Sequence, residues 1–369
     1  MSSCQYCIIK GCQRARHVVK FLGCVVLFVL AVNSATSSDP TSIYQQGPFA
    51  DLACDYFARF HRDPNAEPKD DETALTETWC IAVHRNADSI AGVMAQDLVD
   101  FLKEVMHLSL IVETCDAEPP RPCIFLTHAT GTRPEFSISV EGNFVEVHGE
   151  SPEGLRDGVV KLVDLMGFRQ APYLKHGRQN YTPRLALRVG AVPFGGSYRD
   201  AVFMGYNGVI LSPTVDTRNG SPVDFMELST SRALPEWTKY QNPDLLADIV
   251  KASEEAGRYN LKRFAMLRMW KALPKDDPVY VAHPEIRGAL VHHLIHEKPW
   301  GYVACTEAPL VREYLKETMA GIAQALHLDG AAIIIGGEEF QHCFMRAAGV
   351  EPGHTNCLRC EALGADTVV

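Results

Sequence analysis

Short apolar segments alternate with amphipathic helical segments through the second half of the chain, and no other feature constrains the fold as strongly. A strand, a helix and another strand in succession imply parallel pairing, because the helix returns the chain to the same edge of the sheet. The pattern therefore predicts an α/β domain over residues 183–369, either a doubly wound sheet or a (β/α)8 barrel. The predicted strands cover residues 185–192, 208–211, 262–269 and 331–335, and the clearest helices cover 244–259 and 310–326.

The part of the chain before this region predicts a smaller α+β domain over residues 79–178. Its elements follow the order β-α-β-β-β-α, and two residues suited to helix capping, Asp88 and Ser151, precede the helices. Because the apolar face of a sheet needs cover, we expect both helices to pack on this sheet. The predicted strands cover residues 79–84, 108–112, 123–126, 136–140 and 144–147, and the helices cover 88–107 and 151–167.

The first 35 residues have the layout of a secretory signal peptide. Four basic residues precede an apolar run of 12 residues at 21–32, and the small residues Ser34 and Ala35 follow it. This run is shorter than the about 20 residues that a membrane-spanning helix needs. We therefore expect a cleavable signal over residues 1–35, a secreted or periplasmic protein, and no stable membrane anchor. Residues 36–78, rich in Pro, Asp and Glu, are interpreted as a lead-in segment.

The charge balance excludes one class of partner. The chain has 45 acidic against 35 basic residues, a net charge of −10, and carries no local basic patch. An acidic surface repels phosphate backbones, so nucleic acid is not expected as a partner. Hydrophobic residues make up 46% and charged residues 22% of the chain, a composition typical of a globular protein.

Three cysteines cluster near the end of the chain. Cys343, Cys357 and Cys360 lie close in sequence to His342 and His354, and the C-x-x-C pair has the spacing of one zinc knuckle. A second C-x-x-C is missing. A local disulfide, buried thiols and a metal site all remain open, and we predict neither a metal nor a cofactor.

The segment with the most informative chemistry is residues 331–340, a buried-strand pattern that ends in Gly-Gly-Glu-Glu at 336–339. In parallel α/β folds, catalytic groups lie at the carboxyl ends of strands. Glycoside hydrolysis commonly uses two carboxyl groups, one to protonate the leaving oxygen and one to support the charge at the anomeric carbon. The alternative is a solvated strand end, since successive residues on a regular strand point to opposite faces.

The last helix of the small α+β domain contains residues 151–162 (Ser-Pro-Glu-Gly-Leu-Arg-Asp-Gly-Val-Val-Lys-Leu), and residues 183–188 (Pro-Arg-Leu-Ala-Leu-Arg) follow the domain. This domain and the segment after it resemble the non-catalytic domain and barrel entry of glycoside hydrolase family 20, the β-N-acetylhexosaminidases. Residues 335–339, Ile-Gly-Gly-Glu-Glu, resemble the Gly-Gly-Asp-Glu that ends the fourth barrel strand in that family. The resemblance implies a (β/α)8 TIM-type barrel and an oligo- or polysaccharide substrate. It implies that Glu339 is the general acid, that Glu338 orients the acetamido group, and that Arg188 binds sugar hydroxyls.

The chain departs from the family pattern at several positions, which places it in a divergent branch. Glu338 replaces an aspartate, and the stretch that matches the second barrel strand lacks its histidine. A complete barrel takes about 250 residues, whereas residues 183–369 number 187, so we expect a barrel that is incomplete in this chain. Two alternatives therefore stay open: a carbohydrate-binding or inactive barrel protein, and an α-glucuronidase-like hydrolase.

Overall fold

The computed structural model of the protein describes residues 55–85, 87–116, 119, 121–192, 196–212, 223–268, 272–292, 299–334, 342–345 and 347–364. The predicted signal peptide, the start of the lead-in segment and the two predicted catalytic residues, Glu338 and Glu339, lie outside this part of the chain. Within the described residues, no helix combines the length and the apolar character that crossing a membrane requires.

The first domain is built on a mixed β-sheet. In chain order its elements are β1 (Glu72–Ala74), β2 (Cys80–His84), α1 (Ser89–Glu104), β3 (Ile111–Cys115), β4 (Cys123–His128), β5 (Phe136–Glu141), β6 (Phe144–Gly149), α2 (Pro152–Arg169), β7 (Tyr173–Lys175) and β8 (Gly177–Tyr181). Six strands form one sheet in the order β3-β2-β4-β6-β5-β8. The pairs among β3, β2, β4 and β6 are parallel, whereas β5 is antiparallel to both of its neighbours. β1 and β7 form a separate antiparallel ribbon.

Helices α1 and α2 contact each other and pack on the same sheet, as the sequence pattern predicts. On α1 the apolar residues Met94, Leu98 and Phe101 are spaced by one helical turn and are fully buried. At the start of α2, Ser151 caps the helix, because its Oγ accepts a hydrogen bond from the Gly154 backbone N at 3.1 Å. The predicted α+β layout of the small domain is thus confirmed.

The second domain alternates strands with helices. Its elements are β9 (Val189–Ala191), α3 (Tyr198–Phe203), β10 (Gly208–Leu211), β11 (Val223–Asp224), α4 (Pro243–Arg258), β12 (Lys262–Arg268), α5 (Pro278–Ala282), β13 (Arg287–His292), β14 (Pro299–Ala304), α6 (Pro309–Leu326), β15 (Gly330–Ile334) and α7 (Leu358–Leu363). β13 and β14 form an antiparallel hairpin. The pairs that involve β9, β10, β11, β12 and β15 are all parallel.

The register of β12 fixes the order of the parallel strands. Both β10 and β15 pair with Phe264 and Ala265 of β12, so they lie on opposite sides of that strand. The short strand β11 pairs with Leu267 and Arg268, where β15 also pairs, and it therefore lies on the same side as β10. Since β9 pairs with β10, the order across the sheet is β9-β10-β12-β15.

Parallel strands that follow chain order in one direction are typical of a barrel, because a doubly wound sheet reverses direction at its switch point. The four strands β9, β10, β12 and β15 run in one direction in this way, and helices α3, α4 and α6 lie in their connections. The predicted fold class, an α+β domain followed by barrel-type β/α units, is confirmed, and the strand order decides between the two parallel architectures that the sequence pattern left open.

Several element boundaries differ from the sequence-based predictions. The strand predicted at residues 108–112 is found at Ile111–Cys115. Leu110 is buried before the strand begins, whereas Ile111, on the edge strand, is exposed, so the apolar run at 108–112 does not mark the strand itself. The strand predicted at 185–192 begins only at Val189, since Leu185 is exposed. The sequence pattern did not predict β8, an edge strand whose residues are mostly exposed and which lacks apolar alternation.

A short 3₁₀ helix, Tyr56–Arg59, lies between the two domains. The ring of Phe57 is 5.3 Å from the Phe101 ring on α1 and 4.9 Å from the Phe203 ring on α3, measured between centroids. The Tyr56 backbone N donates a hydrogen bond to Asp200 Oδ1 at 2.8 Å. This part of the lead-in segment therefore contributes to the contact between the domains.

Candidate functional site

The carboxyl ends of β9, β10, β12 and β15 meet at one edge of the parallel sheet, here called the carboxyl edge. β15 ends at Ile334, and the predicted catalytic pair, Glu338 and Glu339, follows four and five residues later in the sequence. Those two residues lie outside the described part of the chain, so their roles stay predictions. The structure describes β15, the strand that precedes them, which is the fourth in the series β9, β10, β12 and β15.

Two charged side chains occupy the carboxyl edge where β11 and β12 end. Asp224 is the last residue of β11, and Arg268 is its partner in the register of β12. The distance between Arg268 Nε and Asp224 Oδ2 is 4.0 Å, and the two side chains are 22% and 11% exposed. Asp224 Oδ1 also accepts a hydrogen bond from the Met226 backbone N at 3.0 Å, which fixes the carboxylate.

This pair can supply opposite charges beside a bound ligand. A carboxylate accepts hydrogen bonds and a guanidinium donates them, so together Asp224 and Arg268 can bind sugar hydroxyls, which do both. Neither residue was predicted from the sequence. Arg268 follows four apolar residues at the end of β12, which is a usable signal, whereas Asp224 lies in a two-residue strand that no pattern predicts.

Arg188 lies at the opposite edge of the sheet, here called the amino edge, immediately before β9. Its guanidinium donates to Asp157 Oδ2 on α2 at 2.6 Å, to the Gly205 carbonyl at 2.6 Å and to the Leu185 carbonyl at 2.9 Å. The predicted contact of Arg188 with sugar hydroxyls gains no support from this placement. The contacts give Arg188 a role in joining α2 to the parallel sheet.

Arg188 is one member of a polar network between the two domains. Its backbone N donates to Asn207 Oδ1 at 2.6 Å, and Asn207 Nδ2 donates to Glu153 Oε1 on α2 at 2.7 Å. The guanidinium of Arg156, also on α2, is fully buried and donates to the carbonyls of Tyr259 at 3.3 Å and Asn260 at 2.9 Å. Each barrel-domain residue in this network lies just before a parallel strand or at the end of α4, so α2 binds the amino edge.

Four cysteines form a buried cluster at the end of the chain. Cys305 follows β14, Cys343 lies in a turn, Cys357 precedes α7, and Cys360 lies within it. Their Sγ atoms all lie within 4.8 Å of one another, and all four residues are buried. Such a set of thiols could hold a metal ion.

Three of the four members could be predicted from their proximity in the chain. Cys305 could not, because it lies 38 residues before Cys343 and becomes a neighbour through the β13–β14 hairpin. Neither nearby histidine belongs to the group: His354 Nδ1 is 3.1 Å from Glu361 Oε1, and His342 Nδ1 accepts a hydrogen bond from the Phe344 backbone N.

Three of the four thiols in the cluster have shifted pKa values. Hydrogen bonds from Cys343 and Cys357 lower the pKa of Cys305 well below its usual range. The same contact with Cys305 raises the pKa of Cys343. Burial raises the pKa of Cys360 to about 12.

Comparison with known proteins gives fold-level similarity only. No family model matches the chain, and no curated protein matches it. Among solved structures, it is similar to a GH20 β-N-acetylhexosaminidase from Streptomyces coelicolor A3(2), with 16% identity, a TM-score of 0.47, and coverage of 76% of this chain and 60% of that one. It is also similar to the Flavobacterium johnsoniae chitobiase, with 14% identity, a TM-score of 0.49, and coverage of 80% and 46%.

A GH138 enzyme targeting pectin rhamnogalacturonan II is similar as well, with 15% identity, a TM-score of 0.48, and coverage of 71% of this chain and 39% of that one. The chain thus spans between 39% and 60% of the length of these three proteins. Identities this low, with TM-scores below 0.5, carry no information about substrate or catalytic residues.

Proposed function

We propose that the chain is a secreted glycoside hydrolase of the β-N-acetylhexosaminidase type, with Glu339 as general acid and Glu338 orienting the substrate. The observation that carries this proposal is the position of β15. It is the fourth strand of the parallel series, and residues 336–339, Gly-Gly-Glu-Glu, follow its carboxyl end with one residue between. Catalytic groups in barrel enzymes lie at this edge.

The chemistry assigns different tasks to the two carboxyl groups. Protonated Glu339 gives its proton to the glycosidic oxygen as the bond to the anomeric carbon breaks. Glu338 holds the acetamido group of the sugar so that its carbonyl oxygen attacks the anomeric carbon. We assign the binding of sugar hydroxyls to Asp224 and Arg268, which lie at the same edge of the sheet.

The test is the variant Glu339→Gln, which keeps the size of the side chain but cannot donate the acidic proton. We expect kcat for an aryl N-acetylglucosaminide to fall by about 10²-fold or more. The loss should be greater for an alkyl glycoside, whose leaving oxygen needs protonation more. The matched control is Glu351→Gln, at an exposed glutamate, which should keep full activity. Unchanged activity of Glu339→Gln would refute the assignment.

One observation favours a second candidate, a carbohydrate-binding protein without turnover. Glu338 stands where the resembled family has an aspartate, and the additional methylene displaces the carboxylate that orients the acetamido group. Calorimetry with N-acetylglucosamine and chitobiose separates the two candidates. Saturable binding with no product after long incubation supports the binding protein, and product release supports the hydrolase.

A further inference from the structure

The four-cysteine cluster lies in a small core separate from the main one. This second core is formed by Ala272, by the β13–β14 hairpin with Cys305 directly after it, and by residues between 342 and 364. Four of its nine buried members are cysteines. The other members are small or medium-sized apolar residues: Ala272, Ala289, Val291, Val303 and Ala347. Such a core buries little apolar surface in comparison with one built from leucine and phenylalanine. Small cores of this kind usually depend on disulfides or a metal for stability.

The sulfur distances distinguish between those two possibilities. The Sγ atoms of Cys305 and Cys360 are 3.4 Å apart, and those of Cys305 and Cys357 are 3.8 Å apart. A disulfide holds its sulfurs at about 2.05 Å, and one disulfide joins only two of them. Four sulfurs bound at about 2.3 Å to a central zinc ion lie about 3.8 Å from one another. The observed spacing, with all four sulfurs mutually close, matches the tetrahedral arrangement.

We propose that Cys305, Cys343, Cys357 and Cys360 bind a structural zinc ion. The four thiolates would fill the tetrahedral coordination of zinc, which leaves no position for water or substrate and makes the site structural. Zinc also suits sulfur ligands better than magnesium or calcium does, since those ions prefer oxygen.

Two residues around the cluster, Arg359 and Gly288, favour a bound metal ion through charge and through close packing. The Arg359 guanidinium donates to the Glu285 carbonyl at 2.9 Å and lies near Cys305, which places a positive charge beside a cluster that would carry a net charge of −2 with zinc bound. Gly288 approaches Cys343 closely, because a Cβ at that position would lie 2.6 Å from the sulfur. A larger residue at position 288 would displace this ligand.

Hydrogen bonds of the Asn356 side chain hold the ligand-bearing segment against the hairpin. The Asn356 side chain donates to the Leu290 carbonyl at 3.1 Å and to the Ala348 carbonyl at 2.8 Å, and it accepts from the Leu290 backbone N at 2.9 Å. The zinc ion would add a second attachment between the segment and the hairpin. Cys343 follows Glu339 by four residues in the sequence, so the site would also fix the downstream end of the segment that carries the predicted acid.

The proposal is tested on the full chain, purified without chelators and without added reductant. Elemental analysis should find one zinc per chain, and replacement by Co²⁺ should produce the visible absorption of a tetrahedral tetrathiolate site. These measurements on the unmodified protein decide the question even where a variant fails to fold. A chain that contains no zinc and binds no added Zn²⁺, or whose mass shows the loss of four hydrogens from two disulfides, would overturn the proposal.

The variant Cys360→Ser should lose the bound zinc and the cobalt spectrum. The matched control is Cys115→Ser, another buried cysteine, which lies in β3 of the first domain and should keep one zinc per chain. Zinc retained by Cys360→Ser would contradict the assignment of this ligand. The result is independent of hydrolase activity, so failure of the zinc site and failure of the proposed catalytic role are distinguishable.

Discussion

Asp97 is a carboxyl group buried where α1 meets the second domain. Burial raises its pKa to about 7, against the opposing influence of nearby Arg199. A hydrogen bond with Tyr259 and the charge of Arg258 also favour the ionised form, whereas the neighbouring carboxylate of Asp100 disfavours it. Desolvation is the largest of these effects, so the folded protein binds a proton at Asp97 more tightly than the unfolded chain does.

Because the pKa of Asp97 is higher in the folded protein than in the unfolded chain, we expect the free energy of unfolding to decrease as pH rises. The contribution of Asp97 is fully present below about pH 4, the unfolded pKa, and is lost as pH rises toward 7. The loss amounts to about 4 kcal/mol at most. Asp97→Asn should remove this decline, measured as the free energy of unfolding by urea between pH 4 and 8. The exposed control Asp70→Asn should keep the wild-type profile, and a decline that persists in Asp97→Asn would disprove the role of this carboxyl.

At the scale of single elements, α2 depends on two glycines for its position. A Cβ on Gly154 would lie 2.4 Å from the Glu135 carbonyl oxygen, and one on Gly158 would lie 2.7 Å from Val147 Cγ1. Both distances are far below van der Waals contact, so the helix can approach the β5–β6 hairpin only because these positions lack side chains.

We therefore expect Gly154→Ala to lower the free energy of unfolding by about 1–3 kcal/mol, because the helix must move away from the Glu135 backbone. The control is Gly92→Ala in α1, where nothing lies within 4 Å of the added Cβ. This substitution should stabilise the protein by about 0.5–1 kcal/mol through helix propensity. Equal effects of the two substitutions in chemical denaturation would contradict the packing argument.

The elements that could be predicted from sequence are those with a strong apolar period. Strands β10 and β12 and helices α4 and α6 lie within one residue of their predicted boundaries. Among the elements that sequence reasoning missed, β8 is exposed and β11 is very short. Their position depends on pairing with a distant partner, which no local pattern encodes.

At the scale of the whole molecule, the two domains are joined through α2, which covers the first sheet and binds the amino edge of the second. Asp157 on α2 contributes to this junction, because its carboxylate accepts hydrogen bonds from Arg188 Nη2 at 2.6 Å and from Arg156 Nη2 at 2.9 Å. Because Arg156 is fully buried, removing one of its partners leaves an uncompensated charge in the interior. The domains should therefore unfold together.

Calorimetry provides the test of this coupling. The wild-type protein should show one transition, with equal calorimetric and van't Hoff enthalpies. Arg156→Met should destabilise it by about 3–5 kcal/mol and separate the transition into two. The control Arg133→Met removes an exposed ion pair with Glu150, which is worth about 0–1 kcal/mol, and should keep a single transition. One transition of unchanged midpoint in Arg156→Met would show that the network does not couple the domains.

The candidate site could be predicted only in part. The pattern at residues 331–335 correctly predicts a strand, which the structure shows to be the fourth in the parallel series. The prediction that this strand is buried is wrong for the described residues, because β15 pairs with β12 at the edge of the described sheet and Ile333 is 42% exposed. The placement of Arg188 at the amino edge was not predicted, because the strand predicted at 185–192 includes this residue, whereas β9 begins only at Val189. Cys305 joins a cluster whose other members are at least 38 residues away in the chain.

The contacts of α2 also separate the segment that resembles the hexosaminidases from the predicted chemistry. Residues 151–162 make contacts at the amino edge, whereas the predicted acid follows a strand at the carboxyl edge. A substitution in this segment should therefore act on domain assembly and not on turnover, so the resemblance at 151–162 carries no information about catalysis.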